Sequence, residues 1–310
     1  MSASPRRGLR RGIVAALAAG AIALVAACAP PPSGGGTTTT TTTSPGTVRT
    51  VSNATFEWTI SREADNGSMA PGQVNYWSAG VTDSTSATYV PTNGNVTVLK
   101  KNAAGTFVPI GSETAVSWAN RAKDGAGNNV TAGNQFFLGQ KVRFTNGTGT
   151  VNTATGASTI QWTGTFSINF YGSFTPFWIV NPKLVVNASG VGTLTAAVGG
   201  IGSDQADPSI RVTLPNRQVT LATVNSVYTG GSIATGFTKA PAYLNTSATS
   251  TNGTQVPKTS GNQAFWGAWP QSFINFADEA GHGPYWFTSG GATDPLKVQE
   301  PVVVGYTLNP

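Results

Sequence analysis

The strongest pattern in the chain runs from Thr159 to Pro182, TIQWTGTFSINFYGSFTPFWIVNP. Ile160, Trp162, Phe166, Ile168 and Phe170 share one parity, with Gly164 in step, and Gln161, Thr163, Thr165, Ser167 and Asn169 occupy the other. Successive side chains leave a pleated backbone on opposite faces, so this alternation predicts one half-buried strand over residues 159–171. From Phe174 to Val180 the alternation stops and apolar residues run almost continuously around Pro176, a segment expected to be buried or to hold a ligand.

Weaker alternation recurs on both sides. Residues 52–60 set Phe56, Trp58 and Ile60 on one face with Glu57 and Thr59 outward, 62–73 read as loop, and 74–79 (VNYWSA) predict a short aromatic strand. Hairpins are expected from 96–99 through 100–105 into 107–110, and from 183–186 through Asn187–Gly190 into 193–198. Two more are expected from 141–145 through Asn146-Gly147 into the 159–171 strand, with a second loop at 154–157, and from 211–214 through Pro215-Asn216 into 218–224. Residues that accept positive φ cheaply, Asn-Gly above all, mark such turns. One segment reads helical: residues 270–280 (PQSFINFADEA), with Pro270 at the start, Phe273 and Phe276 three apart and Gly281 as the stop. The fold class predicted is all-β, an antiparallel β-sandwich of about ten strands with one short C-terminal helix closing one end. No repeat period marks a propeller or solenoid.

Composition supports this reading, with abundant Gly, Thr, Asn, Ser and Val and only 10% charged residues. The formal charge of +6 changes meaning at the N-terminus. Arg6, Arg7, Arg10 and Arg11 precede an apolar run, Ile13 to Ala27, that is short and Ala-rich for a membrane span, so residues 1–27 read as an export signal. Without those four arginines, 14 basic residues face 12 acidic ones with no basic run, and nucleic acid is not an expected partner. Leu24-Val25-Ala26-Ala27-Cys28 resembles a lipobox, which makes Cys28, the only cysteine, the expected site of lipidation and the chain an exported protein anchored to the outer face of the bacterial cell membrane. A plain secretory signal with an incidental cysteine, or a retained anchor helix, is the alternative. Residues 28–46 then form a Pro/Gly/Thr-rich tether, and 47–310 a single domain.

Candidate chemistry is sparse. With one His and one Cys, a structural zinc site is not expected. No nucleophile-elbow pattern is present, and Asp278 and Glu279, adjacent on the predicted helix, point in different directions, so catalysis is not expected. The aromatic set is richer: Tyr76, Trp77, Tyr171, Phe174, Phe177, Trp178, Trp266, Trp269, Tyr285 and Trp286 either fill the core or line a slot for a flat apolar ligand. His282, in GHGPYW, reads as an exposed loop histidine, as a metal ligand or as a hydrogen-bond partner for Tyr285.

Phe56-Glu57-Trp58, the Gly164–Pro182 segment ending in Asn181-Pro182, the Gly192–Val198 strand and the closing Gly290-Gly291-Ala292-Thr293-Asp294-Pro295 resemble the HtaA-type domain of actinobacterial surface proteins associated with haem uptake, over most of residues 52–307. The resemblance implies a β-sandwich holding haem near one end by a tyrosine, with a histidine bonded to that tyrosine. The place of the family's tyrosine falls near Gly67, with no Tyr in reach, and Ser173 stands at the histidine position of the family's Gly-His-x-Gly motif. The expectation is therefore a non-enzymatic structural or interaction module, in contact with the membrane through its lipid and with other envelope proteins, that has lost the family's haem ligands. The alternative is haem bound by a replacement site: Tyr285 with His282, or Tyr171, with Trp286 and Trp269 covering the porphyrin face.

Overall fold

The computed structural model describes residues 47–68, 73–109, 118–134, 136–203, 207, 209–228 and 232–310, which lie within one compact unit, Thr43–Pro310. Cys28, the export signal and the tether up to residue 46 fall outside the described residues. Among the described residues the alternating stretches become thirteen strands rather than about ten, every pairing between them antiparallel. In chain order they are β1 (Val48–Trp58), β2 (Tyr76–Ala79), β3 (Thr92–Asn93), β4 (Val96–Lys101), β5 (Phe107–Pro109), β6 (Gln140–Asn152), β7 (Ser158–Gln161), β8 (Thr165–Phe170), β9 (Thr175–Val186), β10 (Gly192–Ser203), β11 (Arg211–Val224), β12 (Gly236–Lys239) and β13 (Val302–Gly305). The single α-helix among the described residues, α1 (Gln271–Glu279), sits where the sequence predicts it.

The main ribbon runs β11-β10-β9-β7-β6-β1-β13-β12 and divides at β7. β6 pairs with β4 through its first half and with β7 through its second, and β9 pairs with β8 and then with β7 in the same manner. Beyond β7 the two layers face each other across the core, with Phe144 of β6 edge-on to Phe166 of β8 at 6.0 Å between ring centres. The result is an all-β sandwich with a helix at one end.

The expected single strand 159–171 is interrupted at its centre. Gly164 takes φ +129, where a Cβ would lie 2.4 Å from Val96 Cγ2, and its N–H donates to Asn181 Oδ1. Trp162 turns its indole over Gly147 and donates to the Ala54 carbonyl at 3.0 Å, so the branch point is filled rather than void. The polar face of β8 is not solvated either. Ser167 and Asn169 are fully buried under β2 and the loop after it, where they bond the Gly80 and Tyr76 carbonyls.

Two expected hairpins are bulges instead. β6 runs unbroken through Asn146-Gly147, with Asn146 at φ 56 opposite a register shift in β1, and the turn comes at Asn152–Ala157. β11 likewise runs through Pro215-Asn216 opposite a shift between Val198 and Gly200, and Asn216 Oδ1 accepts the Trp178 indole N–H. Positive-φ tolerance and a missing N–H serve a bulge as well as a turn. The β4–β5 and β9–β10 hairpins form as predicted, the latter capped by Asn187 Oδ1, which accepts from the N–H groups of Ser189 and Val191.

Candidate functional site

Helix α1 begins after Pro270 and closes at Glu279 with Ala280 as its cap, and Gly281 beyond it, at φ +85, lets the chain reverse. Its inner face, Phe273, Ile274, Phe276 and Ala277, is fully buried. Its two acids diverge. Asp278 turns inward to accept from Ser250 Oγ and the Thr251 N–H, and Glu279 faces outward in a two-pronged pair with Arg217. They do not form a catalytic carboxylate pair.

Behind the helix, the Gly283–Trp286 turn drops His282 and Trp286 into the core, each 1% exposed. This corrects the exposed-loop expectation for His282. Its ring lies 5.2 Å from Phe170 and 5.3 Å from Phe177, centre to centre, and Nδ1 accepts the Trp286 indole N–H at 2.8 Å. The accepting Nδ1 places the imidazole proton on Nε2, which has no hydrogen-bond partner. Burial without a counter-charge depresses its pKa to about 3. Trp269 stacks against Phe273 at 4.8 Å and meets Trp286 edge-on at 4.7 Å. Trp269 and Trp286 are thus core residues and offer no open face to a flat ligand.

The two candidate tyrosines are brought together. Tyr171, held at φ 54 after β8, meets Tyr285 at 5.2 Å, and both pack edge-on against Phe170. The expected bond between His282 and Tyr285 is not made: one imidazole nitrogen is taken by Trp286 and the other is unpaired. Tyr285 instead borders a void of about 10 Å³ that it shares with Tyr171, Phe170, Thr293 and the carboxylate of Glu63. That void holds about one water molecule. Glu63 is 6% exposed, its Oε2 is unpartnered, and desolvation pushes its pKa up to about 7, against the opposing pull of Lys297 and Thr293. Desolvation, with the Glu63 charge beside it, pushes the Tyr285 phenol up to about 12.

On its outer side Tyr285 lines an open groove of about 630 Å³, walled mainly by Gly, Ser, Asn and Thr. Lys297 seals the floor. Its ammonium reaches the Pro284 and Phe287 carbonyls, Ser289 Oγ and, at 2.6 Å, Asp294 Oδ1, while Asp294 accepts from the Ser289 and Gly290 N–H groups. Both charges are 3% exposed, so every polar atom must be matched, and the pair pins the 283–297 loop.

No family profile matches the sequence, and neither does any curated protein. Among solved structures, the chain is similar to the crystal structure of the C-terminal domain of HtaA from Corynebacterium glutamicum, with 13% identity and a TM-score of 0.40 over 84% of this chain and 99% of that one. Likeness at this level decides neither ligand nor function, and the site stands on its own geometry.

That geometry does not fit a tyrosine–histidine haem site. The imidazole is sealed, the phenol is held in its protonated form, and the space between Tyr285 and Tyr171 is far below the several hundred Å³ a cofactor needs. Among the described residues no group of three His, Cys, Asp or Glu side chains is placed to hold a metal. Glu63 and Lys297 were not singled out by sequence, and Asp294 entered only as part of the Gly290–Pro295 motif. Glu63 lies in a stretch without periodicity, and a lysine three residues after an aspartate usually marks a solvated face.

Proposed function

We propose that this protein is an exported, lipid-anchored module of the bacterial cell envelope that binds or holds a partner without catalysis, and that it does not ligate haem through Tyr285 and His282. The observation that carries the second half is the sealed imidazole, 1% exposed, with Nδ1 bonded to Trp286. A histidine in that state neither stabilises an iron-bound phenolate nor serves as a general base, because the charged form is strongly disfavoured. Asp278, four residues before His282, is committed to Ser250 and Thr251.

Titrating the purified protein with hemin tests the reading. Free hemin absorbance with no Soret shift at micromolar protein is the expected outcome. A shift that Tyr285→Phe removes would restore the haem reading at the outer groove. The anchor is tested separately. Cys28→Ser is expected to move the protein from the membrane fraction to the soluble fraction, since no helix of the described residues is long and apolar enough to span a bilayer. Persistence in the pellet would overturn the lipid anchor.

A further inference from the structure

A second groove, of about 590 Å³, opens between the chain just after β1, the β4–β5 hairpin and the approach to β6. Two aromatic rings line it, and each carries a cation. The Arg62 guanidinium carbon sits 4.0 Å from the centre of the Phe137 ring, and Lys101 Nζ lies 5.4 Å from that of Phe107. Lys141 also sits over Phe107, at 4.1 Å, but is paired with Glu57 at 2.8 Å. Arg62 and Lys101 are both exposed, and neither forms an ion pair with a described residue.

Three acids share the lining, and two of them are committed. Asp65 is buried and accepts from the Gly139 N–H, the Gln140 N–H and the Gln140 side-chain amide. Asp124 closes its own turn, accepting from the N–H groups of Ala126 and Asn128 and from the Asn128 side chain. Glu300 remains, half-buried, as the one carboxylate in the lining whose side chain makes no hydrogen bond or ion pair with a described residue. Arg62, Lys101 and Glu300 are therefore the charged side chains of the lining that no hydrogen bond or ion pair with a described residue holds in place, while Asp124 keeps its negative charge within its own turn.

We propose that this groove binds a small organic anion, a carboxylate carried on a flat apolar body. A guanidinium lying on a ring is already oriented and partly desolvated, and its free N–H edge matches the two oxygens of a carboxylate. The Lys101 ammonium adds a second charge without its own counter-ion, and the phenyl rings under both cations supply apolar walls. The volume lies within the range of small-ligand sites. Glu300 sets the charge selectivity: it repels a second negative charge, so a monoanion is favoured over a dianion. The site stands apart from the sealed imidazole, and neither proposal depends on the other.

Calorimetric titration of the purified full chain with 2-naphthoate, with 2-naphthylmethanol as the neutral isostere, tests this. Saturable one-site binding of the carboxylate is expected, with the alcohol at least about tenfold weaker, because a charge-assisted bidentate contact is lost. Arg62→Met is expected to weaken naphthoate binding about tenfold or more, Lys101→Met less, and Glu300→Gln to tighten it. Thermal melts of the same variants confirm that they fold, and since both cations are at the surface no loss of structure is expected. The proposal is overturned if naphthoate shows no saturable binding up to millimolar concentration, if the alcohol binds equally well, or if the Arg62→Met, Lys101→Met double variant keeps full affinity.

Discussion

Arg62 and Glu63 are neighbours in sequence, yet they belong to opposite environments. Arg62 lies on a phenyl ring at the lip of an open groove, while Glu63 is buried beside two tyrosines with one oxygen unpaired. The sealed region is a closed set of rings, Phe170, Phe177, Phe273, Trp269, Trp286 and the His282 imidazole, with neighbouring centres between 4.7 and 6.4 Å apart. The open region has the same ingredients, aromatic faces and charge, but they meet solvent. The comparison separates residue type from residue availability. The histidine and tryptophans that suggest ligand chemistry are consumed by packing, and the free charge lies where no motif points.

The comparison breaks most visibly through the sealed region. Phe177 touches Phe170, Phe273, Phe276, Trp286 and His282, so Phe177→Ala removes the ring on which the cluster converges. Large-to-small changes at such sites cost about 3–5 kcal/mol, a fall in Tm on the order of 10 °C for a domain of this size. A shift of only a degree or two in a thermal melt would mean that the cluster is loose enough to admit a ligand.

A smaller and pH-dependent effect sits at Glu63. Its carboxyl binds a proton more tightly in the folded protein, at about 7, than at its ordinary value of 4.5. The folded state is therefore favoured while the group is protonated, and that advantage is lost as pH rises from 4.5 through 7. Glu63→Gln, which stays neutral, is expected to stabilise the protein on the order of 3 kcal/mol at pH 8 and to change little near pH 4.5. His282 acts in the opposite sense: its folded value of about 3 lies below the ordinary 6.5, so its contribution is lost as pH falls from 6.5 towards 3. Urea melts of wild type and Glu63→Gln across that range check both slopes. A Glu63→Gln difference independent of pH would mean that the carboxylate is solvated, and the boundary between the two regions would then lie elsewhere.

How much of this was legible beforehand follows from what periodicity encodes. Alternation gave the apolar faces of β1 and β8 correctly, since Phe56, Trp58, Phe166, Ile168 and Phe170 are all buried. It did not reveal that Ser167 and Asn169 are buried too, because a second layer of chain, β2 and its following loop, satisfies their polar atoms. Helix α1 was legible from local signals, Pro270 before it and Gly281 after it. Asn146-Gly147 and Pro215-Asn216 misled because their backbone preferences suit bulges as well as turns, and only the partner strand decides. At the candidate site, sequence spacing placed His282 and Tyr285 together, but the turn seals the imidazole in the core and leaves the phenol half-buried at its edge. Direction across a turn depends on packing partners distant in sequence, Phe170 and Phe177 here.

The smallest expected effect sharpens the comparison from the open side. Arg62 and Lys101 contribute a surface cation–π contact each and no ion pair. Such contacts are worth about 0.5–1 kcal/mol at exposed sites, and the methylene stem of a methionine retains part of the apolar contact with the ring. Arg62→Met and Lys101→Met are therefore expected to move Tm by no more than a degree or two, against the fall of about 10 °C expected for Phe177→Ala. The reason is physical rather than statistical: removing an exposed cation leaves no buried polar atom unpaired and no cavity behind it. A folded-state role for these cations would appear as a Tm loss comparable to that of the core variant. It would mean that the groove is closed in solution, with Arg62 and Lys101 spent on holding it shut. Matching thermal melts with altered naphthoate affinity would instead mark the groove as a surface whose charges are kept for a partner.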